Sequence, residues 1–362
     1  MTGMLERGVK GLRAGLLALL LLPTACDNDQ EAMVEAQTRA EKLSLEGRHE
    51  EALPLAKEAL ALGEQAFGRV HPALTASLDT LSEIHMRMAR PEAAEPPRRR
   101  ALAIREANLE PDDPELARGL YKMVEVHSSL RRCDQAEPLL LRAAAIWETV
   151  GAPELENLDW GFYLLAGCYM RTQQYDDGER FFQRALAALK QRVGAEHLKV
   201  GGLLQKIGWA YYSERLYDKA EPVYRRALAI FETLGDAHRP SLIASLTHLA
   251  MLHEAQDKHA EAETFYARSA ELQAGVHGPE DYRTASGVLN VARMRHYQGK
   301  YAEAEPVFQR ALAVTEQALG AEHANVASCL THYAAMLEDA GRSAEAAELL
   351  TRAEAIRAGP QG

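Results

Sequence analysis

The sequence lacks most of the features that mark enzymes and metal proteins. Only four of its 362 residues are cysteine, and 6% are aromatic. Beyond the first 26 residues, Cys133, Cys168 and Cys329 stand far apart and form no CxxC pair, so we expect buried single thiols and neither a disulfide framework nor a zinc site. The sequence also contains no GxSxG, phosphate-loop, HExxH or cysteine–histidine signature. We therefore predict a protein that is not an enzyme and that binds no metal and no cofactor.

Positive charge is in short supply as well. The chain has 41 lysines and arginines against 52 aspartates and glutamates, which gives a formal net charge of −11. The two signs are interspersed, and no basic patch stands out. This balance argues against general affinity for nucleic acid or for an anionic membrane surface. It does not argue against a protein or peptide partner.

Long apolar runs are missing too, and the longest one lies near the N-terminus. It reads "LLALLLL" (Leu16–Leu22), is preceded by three basic residues and is followed by "PTAC". A bilayer span needs about 20 apolar residues, so this pattern is typical of a secretory signal over residues 1–26. The cysteine after small residues resembles the lipobox of bacterial lipoproteins, with Cys26 as the lipidated first mature residue. Pro23 stands where a lipobox usually has leucine, and ordinary secretion and a retained N-terminal anchor are the alternatives.

What the sequence does contain is a pattern that recurs every 42 residues. The first small column is Ala52, Ala94, Ala136, Gly178, Ala220, Ala262, Ala304 and Ala346. The second is Ala59, Ala101, Ala143, Ala185, Ala227, Ser269, Ala311 and Ala353. A larger column between them is Leu140, Phe182, Tyr224, Tyr266 and Phe308. A fixed period of this length predicts stacked repeats, and small residues let antiparallel helices approach to about 8–10 Å.

Each unit is predicted to hold two helices. The predicted pairs cover about 31–66, 72–108, 114–150, 155–192, 197–234, 239–275, 281–318 and 323–358, within one repeat domain over 27–362. Proline recurs in the second helix, as in the "AEP" at Pro222 and Pro306, and we expect it in the first turn, where its missing N–H has no partner to lose.

The period and the wording "AEPVYRRALAIFETLG" resemble the tetratricopeptide repeat family, in the 42-residue variety found in kinesin light chains. The "HP" at His71–Pro72 fits the same variety. The link at 151–160 departs from the pattern, and the groove asparagines of the kinesin relatives are missing except for Asn290. The resemblance implies an all-α, right-handed superhelical α-solenoid of about eight antiparallel helix pairs. It does not imply motor or cargo function.

The family's geometry places some columns of the first helices on a concave groove. The candidate partner-binding residues there are Tyr121, Lys122, Trp160, Tyr163, Arg171, Lys206, Trp209, Tyr212, His248 and Asn290. Aromatic residues and arginine are frequent in protein-binding hot spots, so we expect an extended peptide or a partner's helix to bind here. The alternative is that the rings pack between repeats as ordinary core.

Three histidines recur at one position of the repeat, and a fourth precedes a proline. His85, His127 and His253 share one column but lie whole repeats apart, too far to bind one metal ion, so we expect them to pack between helices. His71 is expected to have a structural role at a helix-entry turn.

Two functions follow from these features. The first is an exported, lipid-anchored scaffold for protein–protein interaction. Without the lipid, the same scaffold would be periplasmic or secreted, and the sequence leaves its self-association open. The second is a cytoplasmic regulatory or adaptor module that works with a separately encoded enzyme, such as a kinase or a protease.

Overall fold

The computed structural model describes residues 27–151 and 158–359. These ranges contain sixteen α-helices and no β-strand. The predicted signal segment and Cys26 lie outside the described residues. In chain order the helices are α1 (Asp27–Leu45), α2 (His49–Phe67), α3 (Leu74–Arg87), α4 (Pro91–Asn108), α5 (Pro114–Ser129), α6 (Cys133–Val150), α7 (Leu158–Arg171), α8 (Tyr175–Val193), α9 (Leu198–Ser213), α10 (Tyr217–Leu234), α11 (Arg239–Glu254), α12 (His259–His277), α13 (Tyr282–Tyr297), α14 (Tyr301–Leu319), α15 (Ala324–Asp339) and α16 (Ser343–Ala358).

The helices form consecutive pairs, which confirms the predicted all-α repeat fold. We call the first helix of a pair the A helix (odd numbers) and the second the B helix (even numbers). The contacts divide the chain into two units, whose boundary falls between Ala185 and Leu186 within α8. None of the described helices is both long and apolar enough to cross a membrane.

The two small columns lie where the helices touch. Apart from the glycine, every member of the first column is at most 1% exposed, and in the second column even Ser269 is only 2% exposed. Large neighbours fill the space beside them. In unit 2, for example, Tyr224 is 1% exposed, and its ring occupies the space that a Cβ at Gly208 of the facing helix would need. The predicted role of small residues in close helix packing is therefore confirmed.

The expected position of the recurring proline is wrong. The B helices begin five residues before it, at His49 for Pro54 and at Tyr217 for Pro222. A proline at the sixth position leaves the carbonyl four residues earlier without a helical partner. That carbonyl belongs to an exposed residue in each case, such as Glu50 or Asp218, so water can bind it.

The expectation of single thiols is wrong for two cysteines. Cys133 and Cys168 form a disulfide, while Cys329 is free and buried as expected. Cys133 is the first residue of α6, and Cys168 lies on α7 of the next pair. Their separation of 35 residues is not a multiple of the repeat. The comparison of equivalent columns therefore could not reveal that the two side chains meet.

Ion pairs connect successive B helices in both units. In unit 1, Arg100 pairs with Glu64, and Arg142 lies 2.7 Å from Glu106. Unit 2 repeats this contact with the pairs Arg268–Glu232 at 2.7 Å and Arg352–Glu316 at 2.6 Å. Exposed pairs contribute only about 0–1 kcal/mol each, so their main effect is to favour one register between neighbouring repeats.

Candidate functional site

The A helices of neighbouring pairs lie side by side, as α5 and α7 do in unit 1 and α9 and α11 do in unit 2. We call the surfaces that they form the A-face of unit 1 (α1, α3, α5 and α7) and the A-face of unit 2 (α9, α11, α13 and α15). Most of the predicted groove residues lie on these two faces.

The A-face of unit 1 carries an exposed aromatic pair. Trp160 is 40% exposed, and its ring stacks on Tyr163 with centroids 4.9 Å apart. Burial raises the pKa of the Tyr163 hydroxyl. On the same helix, Arg171 Nη2 donates a hydrogen bond of 2.9 Å to the Ser128 carbonyl oxygen. The pair therefore presents the accessible indole of Trp160, which lies on the half-buried ring of Tyr163. The guanidinium of Arg171 is held in place on the same helix.

Two predicted groove residues of unit 1 have other surroundings. Tyr121 is only 9% exposed, its ring lies 5.6 Å from that of Trp147, and it packs against Gly161. Its burial raises the pKa of its hydroxyl well above the usual value. Tyr121 therefore packs between repeats as part of the core, which was the alternative to partner binding for the predicted groove aromatics. Lys122 is half-buried, and its Nζ lies 2.7 Å from Asp79 Oδ2.

Asp79 is the centre of a buried charge cluster that the sequence reasoning missed. Its carboxylate accepts hydrogen bonds from Arg98 Nη1 at 2.9 Å and Arg105 Nη2 at 2.7 Å, besides Lys122. Burial alone would raise the pKa of Asp79, but the three cations outweigh burial and hold that pKa well below its usual range. Arg98, at 1% exposure, stands in the column that holds Leu140, Phe182 and Tyr224 in later repeats. An arginine in an otherwise apolar column was the available signal.

The A-face of unit 2 carries the second exposed aromatic pair. Trp209 is 47% exposed and stacks on Tyr212, with centroids 5.4 Å apart. The ring of His248, from the neighbouring α11, lies 6.3 Å from Trp209 and stacks on buried Tyr224 at 5.1 Å. Burial lowers the pKa of His248. Lys206, one turn before Trp209 on α9, is exposed.

The same face continues with a polar patch on α11 and α13. Asn290 Oδ1 accepts a 3.0 Å hydrogen bond from Arg293 Nη1, and Arg293 also pairs with Glu254. The other oxygen of Glu254 accepts a 2.8 Å hydrogen bond from the hydroxyl of Tyr266. In unit 2 the structure thus brings together Trp209, Tyr212 and His248, and it places Asn290 in an adjoining network.

The described ranges hold no group of three or more histidine, cysteine or acidic side chains that could bind a metal ion. His253, from the histidine column, is 4% exposed and stacks on Phe265 with ring centroids 5.4 Å apart. Neither of its ring nitrogens has a hydrogen-bond partner. His253 therefore packs between helices, as the sequence predicts for this column.

Paired helices with small contact columns define the chain as an all-α helical-repeat protein. Models of the tetratricopeptide repeat match residues 33–107, 157–233 and 283–358, and a second tetratricopeptide repeat model matches 242–281. The chain belongs to the tetratricopeptide repeat family, as the period predicted. A search of curated proteins finds no match.

Solved structures share this fold at low identity. A kinesin-light-chain-type protein of Podosopora anserina with nearly identical TPR-like repeats is 16% identical, with a TM-score of 0.50 over 58% of this chain and 99% of its own. The apo form of RapI is 10% identical, with a TM-score of 0.51 over 90% and 97%. A signal-transduction ATPase of Pyrococcus horikoshii with a tetratricopeptide repeat sensor is 13% identical, with a TM-score of 0.50 over 88% and 47%. Such identities show the fold alone.

Proposed function

We propose that the chain is an exported, lipid-anchored scaffold that binds a peptide or a segment of a partner protein on its A-faces. The observation that carries this proposal is the exposed tryptophan on each A-face, Trp160 in unit 1 and Trp209 in unit 2. A large ring that remains 40% or 47% exposed has apolar area to bury against a partner.

The form of the two sites supports binding rather than catalysis. Each tryptophan stacks on a tyrosine one turn away, so little rotamer freedom remains to be lost when a partner covers it. Lys206 and Arg171 add positive charge to these faces, which favours a partner segment that carries acidic side chains. The family matches concern a repeat fold and no catalytic domain, and we propose that the chain is not an enzyme.

The disulfide supports export over the cytoplasmic alternative. Disulfides persist in oxidising compartments and are rare in the cytosol, where thiols are kept reduced. Cys133 and Cys168 are both completely buried, so their disulfide lies in the packed interior of unit 1. Helix α1 begins at Asp27, directly after the proposed lipidation site Cys26. A lipid on Cys26 would therefore hold the first repeat close to a membrane.

Partner capture tests the binding proposal. The mature chain and the double variant Trp209→Ala, Tyr212→Ala are immobilised and exposed to a cell-envelope extract. We expect proteins retained by the native chain to be lost with the variant, because truncation of hot-spot rings weakens binding by tenfold or more. Leu350→Ala, which changes a 40% exposed residue on B helix α16, is the matched control and should retain them. Equal retention by all three chains would refute the A-face of unit 2 as a binding site.

Mass spectrometry of the intact chain tests the anchor separately. A diacyl or triacyl mass on a chain that begins at Cys26, lost in Cys26→Ser, is the expected result. A chain that begins at Met1 and fractionates with the cytosol would contradict export and favour the regulatory-module alternative.

A further inference from the structure

A polar pocket opens on the A-face of unit 1, between the A helices of the first three repeats. Its volume is about 230 Å³. Helix α1 contributes Glu41, Ser44 and Leu45, helix α3 contributes Glu83 and other polar side chains, and helix α5 contributes Lys122. Trp160 and the other aromatic groove residues do not line it, so this pocket is separate from the aromatic pair of the same face.

Each cation at this pocket already has a carboxylate partner. Nε and Nη2 of Arg87 both donate to Oε1 of Glu83, at 3.0 and 2.8 Å. Lys122 Nζ lies 2.7 Å from Asp79 Oδ2. The two buried guanidiniums that also bind Asp79 do not line the pocket. The positive charges here are therefore already paired.

One carboxylate at the pocket has no cation. Oε1 of Glu41 accepts from Gln37 Nε2 at 2.5 Å and from Thr80 Oγ1 at 3.3 Å, and both of these groups are neutral. In the part of the chain that the structure describes, Oε2 of Glu41 has no hydrogen-bond partner, and neither has Oε2 of Glu83. Two carboxylate oxygens thus remain available at this pocket.

The hydroxyl of Ser44 points to a ligand independently of these carboxylates. Ser44 is only 6% exposed and lines the pocket, yet its Oγ has no hydrogen-bond partner among the residues of 27–151 and 158–359. A buried polar group without a partner is costly, and a bound donor would remove that cost. With Glu41 and Glu83, the pocket offers three acceptors. A lysine ammonium has three N–H donors and no acceptor.

The carboxylates of the pocket belong to a column that is acidic only in the first three repeats. Glu41, Glu83 and Glu125 lie 42 residues apart, and the next two members of the column are Gly167 and Trp209. A pair of facing carboxylates from neighbouring A helices is therefore a feature of this end of the array.

We propose that this pocket binds the ammonium group of a lysine side chain in the partner segment. The ammonium donates to Glu41, Glu83 and Ser44. Its four-carbon stem lies on Leu45, which is 71% exposed at the pocket. The lysine thus fixes where the segment starts or ends on the A-face. This inference rests on the proposed function, because the partner segment supplies the lysine.

NMR titration of the full mature chain with Nα-acetyl-lysine amide tests the pocket. We expect the Leu45 methyl and Ser44 amide signals to shift with this probe and not with Nα-acetyl-norleucine amide, which has the same stem without the ammonium. Glu41→Gln should weaken binding of the lysine probe by about tenfold or more, because a charge-assisted hydrogen bond is lost. Glu35→Gln, at a 74% exposed glutamate of the same helix, is the matched control and should bind as the native chain does.

Three results would overturn the proposal. They are an equal response to the norleucine probe, unchanged binding in Glu41→Gln, and a response to Nα-acetyl-glutamate amide without one to the lysine probe. The comparison of probes needs only the native chain, so it decides the question even if Glu41→Gln does not fold. It also needs no partner protein. A failure of the pocket therefore leaves partner capture on the A-faces intact, and a failure of capture leaves the probe result unchanged.

Discussion

Two glycines on one helix allow a sharp test of the helix packing. Gly202 and Gly208 both lie in α9, and neither has a left-handed backbone. A Cβ added at Gly202 would meet nothing within 4 Å, whereas a Cβ at Gly208 would lie 2.5, 2.6 and 2.9 Å from ring carbons of Tyr224. The same substitution should therefore have opposite effects at the two positions.

The magnitudes follow from two opposing contributions. Replacing a helical glycine by alanine stabilises a helix by up to about 1 kcal/mol, and Gly202→Ala should show this gain. At Gly208 the same gain is opposed by overpacking, which typically costs 1–3 kcal/mol, or about 2 kcal/mol as a middle value. Tyr224 is 1% exposed and stacks on His248, so its ring has little room to move. We expect Gly208→Ala to lower the free energy of unfolding by about 1 kcal/mol net.

Urea unfolding followed by circular dichroism measures both variants against the native chain. The expected order of midpoints is Gly202→Ala, native, Gly208→Ala. An increase in stability for Gly208→Ala equal to that of Gly202→Ala would refute the claim that small residues set the helix spacing here.

Three other predictions concern buried groups. Reduction of the Cys133–Cys168 bond, which closes a loop of 35 residues, should lower the free energy of unfolding by about 4 kcal/mol; urea midpoints with and without reductant measure this, and a midpoint unchanged by reductant would contradict it. Asp79→Asn should cost about 3–5 kcal/mol, because it leaves the buried guanidiniums uncompensated; a melting temperature equal to the native one would show that the cluster is not held by charge. Burial lowers the pKa of His253 from its ordinary value of 6.5, so a proton binds more tightly to the unfolded chain than to the folded one. The stability that neutral His253 contributes is therefore complete above pH 6.5 and declines as the pH falls towards the lowered pKa. His253→Phe should reduce this decline in unfolding curves measured across pH, and an identical pH dependence in the variant would exclude the effect.

The repeat fold was predictable because the same contact is made again and again. A small residue such as Ala52 or Ala94 must recur wherever two helices touch, so the period appears in the sequence without any knowledge of tertiary structure. The disulfide was not predictable, because it joins two helices of successive pairs at a separation that is not a whole repeat. The position of the recurring proline within the B helices was not predictable in the same way. A helix tolerates proline in its interior where the carbonyl four residues earlier is exposed to water, and that exposure depends on the fold.

The residue types of the candidate site were predictable from the sequence, but the solvent exposure of their side chains was predictable only in part. Tyr121 and Tyr163 stand in the same column, 42 residues apart, yet Tyr121 is buried at 9% exposure and Tyr163 is only half-buried. The neighbours of the two rings differ: Tyr121 packs against Gly161 and Trp147, whereas Tyr163 stacks on the exposed ring of Trp160. Such complementarity between adjacent repeats is not recorded in any one column.

Photo-crosslinking tests the proposed binding surface most directly. A crosslinking phenylalanine analogue at position 209 should join the mature chain to a partner protein in the cell envelope, and one at position 160 should do so if both A-faces bind. The same analogue at position 350, on B helix α16, should yield no such product. Crosslinks from 350 but from neither 209 nor 160 would contradict binding on the A-faces.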